Sequence, residues 1–119
     1  MKKSRLNKRS NLTKLKKEAD RLFSIFIRNR DKICRKCKKA KASQCAHIFS
    51  RSNLSVRYDE MNALGFCFYC HLIWSHREPV EFTQWVESEL GAEFKKLEKR
   101  ARKLGKVDYN QIIKTYEER

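Results

Sequence analysis

Cys67-Phe68-Tyr69-Cys70-His71 begins thirty residues after the end of Cys34-Arg35-Lys36-Cys37, and the two stretches pair their cysteines in the same way. A C-x-x-C turn lets two thiolates approach one ion, and two such pairs supply the four sulfurs of a closed, tetrahedral structural zinc site. One pair alone would fit a redox motif, but two pairs in a chain without a βαβ pattern read as metal ligands. The segment between them is too polar and too short to hold its shape by burial, so the ion is expected to take part in folding it. Cys45 lies outside both pairs. It reads as a small buried residue, with a metal role as the alternative because it stands two residues before His47.

Outward from this centre, the chain has 119 residues, with 29 Lys and Arg against 14 Asp and Glu, a formal net charge of +15. That length suits a single domain with one modest core. Charge of this size repels itself and is usually kept for a polyanionic partner, which makes nucleic acid the first partner to expect. No stretch is apolar enough to span a bilayer, so no membrane partner is expected. The N-terminus lacks the apolar run of a secretory signal, and the five cysteines include an odd one. Both point to a reducing, cytoplasmic setting.

Three Gly and one Pro predict a mainly helical chain with its irregular structure in the middle. Residues 1–10 read as a flexible basic arm, and residues 11–119 as one domain. Leu15, Ala19, Leu22, Phe23, Phe26 and Ile27 recur at spacings of three and four, which predicts a helix over 11–29. Its other face carries Lys14, Lys17 and Arg21, either a solvated face or contacts to DNA. A knuckle is expected over 30–42, strands over 44–49 and 63–66 around a basic loop, and a helix from near Cys70. Pro79 opens another helix that Gly91 stops, with Phe82, Trp85, Val86 and Leu90 on its apolar face. Phe94, Leu97, Ala101 and Leu104 continue the stripe as core, and Asp108 caps a last helix carrying Ile112, Ile113 and Tyr116. The fold class is therefore α+β and mostly helical, with a zinc core over about 31–78 and C-terminal helices over about 79–118.

Between and just after the cysteine pairs stand His47, Asn62 and His71, in that order. Hydrolysis of a phosphodiester needs an activated water, a cation on the phosphate and leaving oxygen, and a group that orients the base. An imidazole near its ordinary pKa suits the first task. An Asn side chain or backbone can hold that imidazole, and a second His can ligate a divalent ion. His76 follows His71 by five residues, an offset of about 140° on a regular helix, so joint ligation requires a bend or a widened turn. Otherwise His76 is an exposed residue.

Ala46-His47-Ile48-Phe49-Ser50-Arg51, Val56-Arg57-Tyr58-Asp59 with Asn62, and Cys67-Phe68-Tyr69-Cys70-His71 together resemble phage-type HNH endonucleases. The NinG-like and recombination endonuclease VII-like branches are the most similar, over roughly residues 33–90. The resemblance implies a ββα-metal, treble-clef core that enters the DNA minor groove. It also implies His47 as general base, Asn62 as the residue orienting the loop, and Cys34, Cys37, Cys67 and Cys70 on structural Zn²⁺. His71, with His76 as a candidate second ligand, would hold a catalytic Mg²⁺ or Mn²⁺. Arg51 and Arg57 would clamp phosphate.

Two departures from the family pattern are visible. Ala46 stands where many members have an acidic ligand, and the trailing His falls five residues after His71 where four is common. The activity implied is metal-dependent DNA hydrolysis in phage recombination or branched-DNA processing, in the host-cell cytoplasm if the chain is phage-encoded. Cutting both strands of a junction would need two active sites, hence a homodimer, with the C-terminal helices as its contact. A non-catalytic, zinc-stabilised DNA-binding regulator would use the same frame and charge. An RNA-associated zinc protein is a third option. Only the nuclease needs His47.

Overall fold

The structure is a computed structural model that describes residues 5–119. It is α+β and mostly helical: five α-helices frame one two-stranded antiparallel sheet among the described residues. Helix α1 runs Arg5–Asp31. Residues 5–10, expected as part of a basic arm, therefore continue the helix, while residues 1–4 lie outside the described residues. A run of basic residues does not oppose a helix, since Lys and Arg are good helix formers, and α1 is anchored at its other end. That other end is packed: Ala19, Phe23 and Ile27 are at most 1% exposed.

Lys32 ends α1 in the left-handed region, at φ 62°, and its N–H donates to the Arg28 carbonyl at 2.8 Å. This closes the last turn with a residue other than the usual glycine. A knuckle follows, in which the Lys38 N–H donates to the Cys34 carbonyl and the Cys34 N–H to the Ala40 carbonyl. Strand β1 (Gln44–His47) then pairs with β2 (Ala63–Phe66), placing His47 opposite Ala63 and Gln44 opposite Phe66. The first strand stops at His47, two residues short of its expected end. Ile48 still donates in register to the Asn62 carbonyl at 2.9 Å, but the ladder ends there because the Asn62 N–H turns to the Asp59 carbonyl and the Asn62 side chain takes the Phe49 N–H.

The hairpin divides the interior in two. Ala46, Leu64 and Phe66 face the cysteines and Val86, with Trp74, Phe82 and Trp85 packed around them. Ala63 faces Phe23, Ile27 and Tyr116 on the opposite side. Alternation along β2 thus serves both clusters, which is why all four of its residues are buried. Gly65 lies against α1. Its N–H donates to Asp31 Oδ2 at 2.7 Å, and an added Cβ would come within 2.9 Å of both Ala42 Cβ and Asp31 Cβ. Gly65→Ala is expected to cost about 1–3 kcal/mol, as overpacking of a filled site does, read as a lower urea midpoint at saturating Zn²⁺.

Beyond β2 the chain forms a π-helix (Tyr69–Trp74), one α-turn α2 (Ser75–Arg77), α3 (Pro79–Leu90), α4 (Ala92–Ala101) and α5 (Tyr109–Glu118). Pro79 does open α3, Gly91 closes it at φ 56°, and Asp108 Oδ1 caps α5 by accepting from the Gln111 N–H. Leu104, expected in the core, is fully exposed because α4 ends three residues before it. Helix α5 packs on α1, where Tyr116 meets Phe23 edge-on at 5.3 Å and Phe26 at 5.2 Å. Tyr116 and Ile112 of its apolar face are thereby covered within the chain.

Candidate metal centre and active-site cleft

The knuckle and the first turn after β2 bring Cys34, Cys37, Cys67 and Cys70 together, with their sulfur atoms all within 4.8 Å of one another. Four sulfurs at about 2.3 Å from a tetrahedral Zn²⁺ stand about 3.8 Å apart. The Cys37 and Cys67 sulfurs are 3.9 Å apart, so the donor set fits a structural zinc ion in number, softness and spacing. The local electrostatics agree with that charge state. Backbone N–H groups of Lys39 and Ala40 aim at Cys37 and pull its thiol down to about 6, while burial and the neighbouring thiols push Cys70 well up. A divalent cation relieves the second effect by keeping thiolates that would otherwise repel one another. Cys45 stands apart, opposite Gly65 in the hairpin, and burial raises its thiol to about 12. It is half-buried and lies outside the four converging sulfurs.

A cleft of about 710 Å³ opens beside the hairpin, lined by Lys17, Asp20 and Arg21 from α1 and by His47, Arg51 and His71. A smaller pocket shares His47 and His71 with it and adds Ala46, Ser75 and His76. His47 and His71 therefore line both, and His76 lines the smaller one alone.

His47 packs against Phe23, with ring centroids 6.0 Å apart, and its Nε2 lies 2.9 Å from the Arg57 carbonyl oxygen. A carbonyl only accepts, so Nε2 carries the proton and donates, and Nδ1 keeps its lone pair. Burial, reinforced by the Arg51 and Arg57 charges and opposed by the bond to the Arg57 carbonyl, lowers the His47 pKa below its ordinary value. The net effect favours the neutral ring.

The relation of His71 to His76 depends on the π-helix. The Ser75 N–H bonds to the Cys70 carbonyl five residues back, and the widened turn leaves the two imidazole centroids 6.3 Å apart. Gln44 Oε1 stands 3.4 Å from His71 Nδ1, on the side that would leave Nε2 for an ion. Burial lowers the His71 pKa, with His76 adding to the effect. Among the described residues, however, the four cysteines are the one set of three or more His, Cys, Asp or Glu whose ligand atoms converge.

Asn62 is fully buried. Its Oδ1 accepts from the Phe49 N–H at 2.7 Å, and its Nδ2 donates to the Phe49 carbonyl at 3.1 Å and the Val56 carbonyl at 3.0 Å. It holds both ends of the 48–57 loop, while the imidazole of His47 bonds to the Arg57 carbonyl.

The two arginines share one partner. Asp20 takes the side chains of both Arg57, with Nη2 at 2.7 Å, and Arg51, with Nη2 at 2.8 Å. Arg57 is 15% exposed, with its guanidinium bonded to Asp20 and the Arg51 carbonyl, whereas Arg51 is 58% exposed on the cleft rim. Lys17 and Arg21 line the cleft; Lys14 is exposed but outside it. Asp20 and Gln44 were invisible in the sequence, one an acid on a basic helix and the other a strand polar residue.

No helix among the described residues is long and apolar enough to cross a membrane. No family model matches the chain, and neither a curated protein nor a solved structure matches it.

Proposed function

We propose that this protein is a metal-dependent DNA endonuclease of the HNH kind, in which His47 activates the attacking water. The observation that carries the reading is the His47 ring. One nitrogen donates to a backbone carbonyl, the other is free to accept a proton, and the ring lines the pocket that also holds His71 and His76. A buried imidazole with a fixed tautomer and a lowered pKa is equipped for general-base work at neutral pH.

In this reading His47 Nδ1 takes the proton of a water aimed at the phosphorus, and the Arg57 carbonyl stabilises the imidazolium that results. His71 and His76 would hold a Mg²⁺ or Mn²⁺, which when bound neutralises charge on the phosphate and the departing 3′ oxygen. Ala46 adds no ligand there, so much of the ion's shell would be water. Lys17, Arg21 and Arg51 along the cleft attract the backbone without reading bases, which favours cutting directed by DNA shape over sequence. Branched DNA is accordingly the first substrate to offer. The Zn²⁺ centre is structural and stands outside the chemistry.

The test is nicking of supercoiled plasmid and of a four-way junction with Mg²⁺ or Mn²⁺, beside His47→Ala. Metal-dependent cutting that His47→Ala abolishes is the expected result. Tight DNA binding with no cutting of any DNA form would replace the nuclease by a zinc-stabilised DNA-binding protein.

A further inference from the structure

The Arg57 carbonyl that accepts the hydrogen bond from His47 Nε2–H belongs to the peptide unit joining Arg57 to Tyr58. Both flanking side chains end on one carboxylate. Asp20 Oδ1 accepts from the Tyr58 hydroxyl at 2.7 Å and from Arg57 Nε at 3.2 Å, and Oδ2 accepts from Arg57 Nη2 at 2.7 Å. Arg57 Nη1 donates back to the Arg51 carbonyl at 2.9 Å, and Arg51 Nη2 reaches the same Asp20 oxygen. A peptide unit whose two side chains are tied to one group has little freedom to rotate, so α1 helps to set its carbonyl direction together with the loop's own bonds.

Helix α1 sets the ring in a second way. Phe23, three residues after Asp20, packs on the His47 ring and meets Tyr58 edge-on at 5.6 Å. The carboxylate and the aromatic face thus approach the imidazole from one helix. Burial alone would raise the Asp20 pKa, but the hydrogen bonds from Arg57 and Tyr58 outweigh it and keep the group ionised. The loop has independent anchors as well: Arg100 holds Asp59, and Asn53 Nδ2 donates to the Ala101 carbonyl at 2.9 Å. Loss of Asp20 therefore loosens one peptide without releasing the whole loop.

We propose that Asp20 is a positioning residue for His47, acting through the Arg57–Tyr58 peptide to fix which ring nitrogen is free; its kinetic consequence, though not its structural one, rests on the nuclease reading. The residue touches neither DNA nor the reacting atoms in this role. It makes a helix outside the hairpin part of the general base.

The experiment uses the full zinc-loaded chain as wild type, Asp20→Ala, Asp20→Asn, Arg57→Ala and the Asp20→Ala/Arg57→Ala double variant. Ring ¹⁵N NMR reads the His47 tautomer, and plasmid nicking reads kcat and KM. Wild type is expected to show the Nε2–H tautomer alone, and Asp20→Ala a mixture. The kcat of Asp20→Ala should fall roughly tenfold to a hundredfold, while KM moves by less than about threefold. The double variant should be no slower than the slower single one, since both break one chain of contacts. Asp20→Asn, which still accepts from Tyr58, should fall between, and it carries the test with Arg57→Ala if Asp20→Ala does not fold.

An unchanged tautomer with unchanged kcat overturns the proposal, as does a loss confined to KM or full additivity in the double variant. Failure of the two readings can be told apart. A wild type that never nicks, with a tautomer that still shifts in Asp20→Ala, ends the nuclease reading and keeps the positioning role. A wild type that nicks, with Asp20→Ala unaltered, does the reverse.

Discussion

Stripping the metal with a strong chelator is expected to collapse the hairpin side of the protein while sparing part of the helix content. Structural zinc in small domains contributes about 10–16 kcal/mol of apparent binding free energy at pH 7, which exceeds the net stability of a typical domain. Here the cysteines sit inside the cluster that contains Leu64, Phe66 and Val86, so their release opens that cluster directly. Trp74 and Trp85 pack on Phe66, and Lys36 lies 4.6 Å over the Trp74 ring from within the knuckle. Tryptophan emission should therefore shift to the red in step with metal loss, and Cys34→Ser should reproduce the shift without chelator. The contacts of Tyr116 with Phe23 and Phe26 involve no cysteine, so far-ultraviolet circular dichroism should fall only in part. Unchanged tryptophan emission after complete metal removal would contradict a structural role for the ion.

His47→Ala is expected to lower the nicking rate by about 10²- to 10⁴-fold, the span over which positioned acid–base groups act, with DNA affinity nearly unchanged. Affinity should hold because the cleft's charges lie on Lys17, Arg21 and Arg51. The pH profile adds a signed expectation. The working form is the neutral ring, and burial lowers the His47 pKa from its ordinary value of about 6.5. Activity should therefore be flat across neutral pH and fall only as pH drops through a pKa below 6.5. An acid limb centred above pH 7 would assign the base to another group.

Some of this architecture could be read from the chain, and the reason is that its signals are local. C-x-x-C spacing is a property of four adjacent residues, and the two pairs do meet within ligand distance. Strand β2, the Pro79 start, the Gly91 stop and the Asp108 cap likewise depend on residues within a few positions of one another. Helix α1 was shortened at its start because a run of basic residues was equated with an arm, although helical hydrogen bonds do not require an apolar face. Leu104 was misplaced by extending a periodic stripe past the point where α4 frays. The cleft was harder to foresee. Asp20 is 31 and 37 residues from the arginines it binds, and nothing in its own surroundings distinguishes it from Glu18, which pairs with Arg21 on the helix surface. Asn62 stands out in the sequence, but its partners, Phe49 and Val56, are fixed by the hairpin and only then by chemistry.

The wide turn between Cys70 and Ser75 gives the segment an asymmetric tolerance to length. A π-turn is an α-helix holding one residue too many, so deleting one residue there and restoring regular hydrogen bonding would leave the chain beyond it nearly in phase. The two histidines would then stand four residues apart, about 40° on a regular helix. Adding a residue has no such outlet and would swing α3 by about 100° relative to Phe66. Side-chain substitutions on the exposed positions Phe68, Tyr69 and Leu72, and deletion of Leu72, should be absorbed, whereas a single-codon insertion should not. In this stretch the spacing of the chain carries more information than the identity of its outward residues.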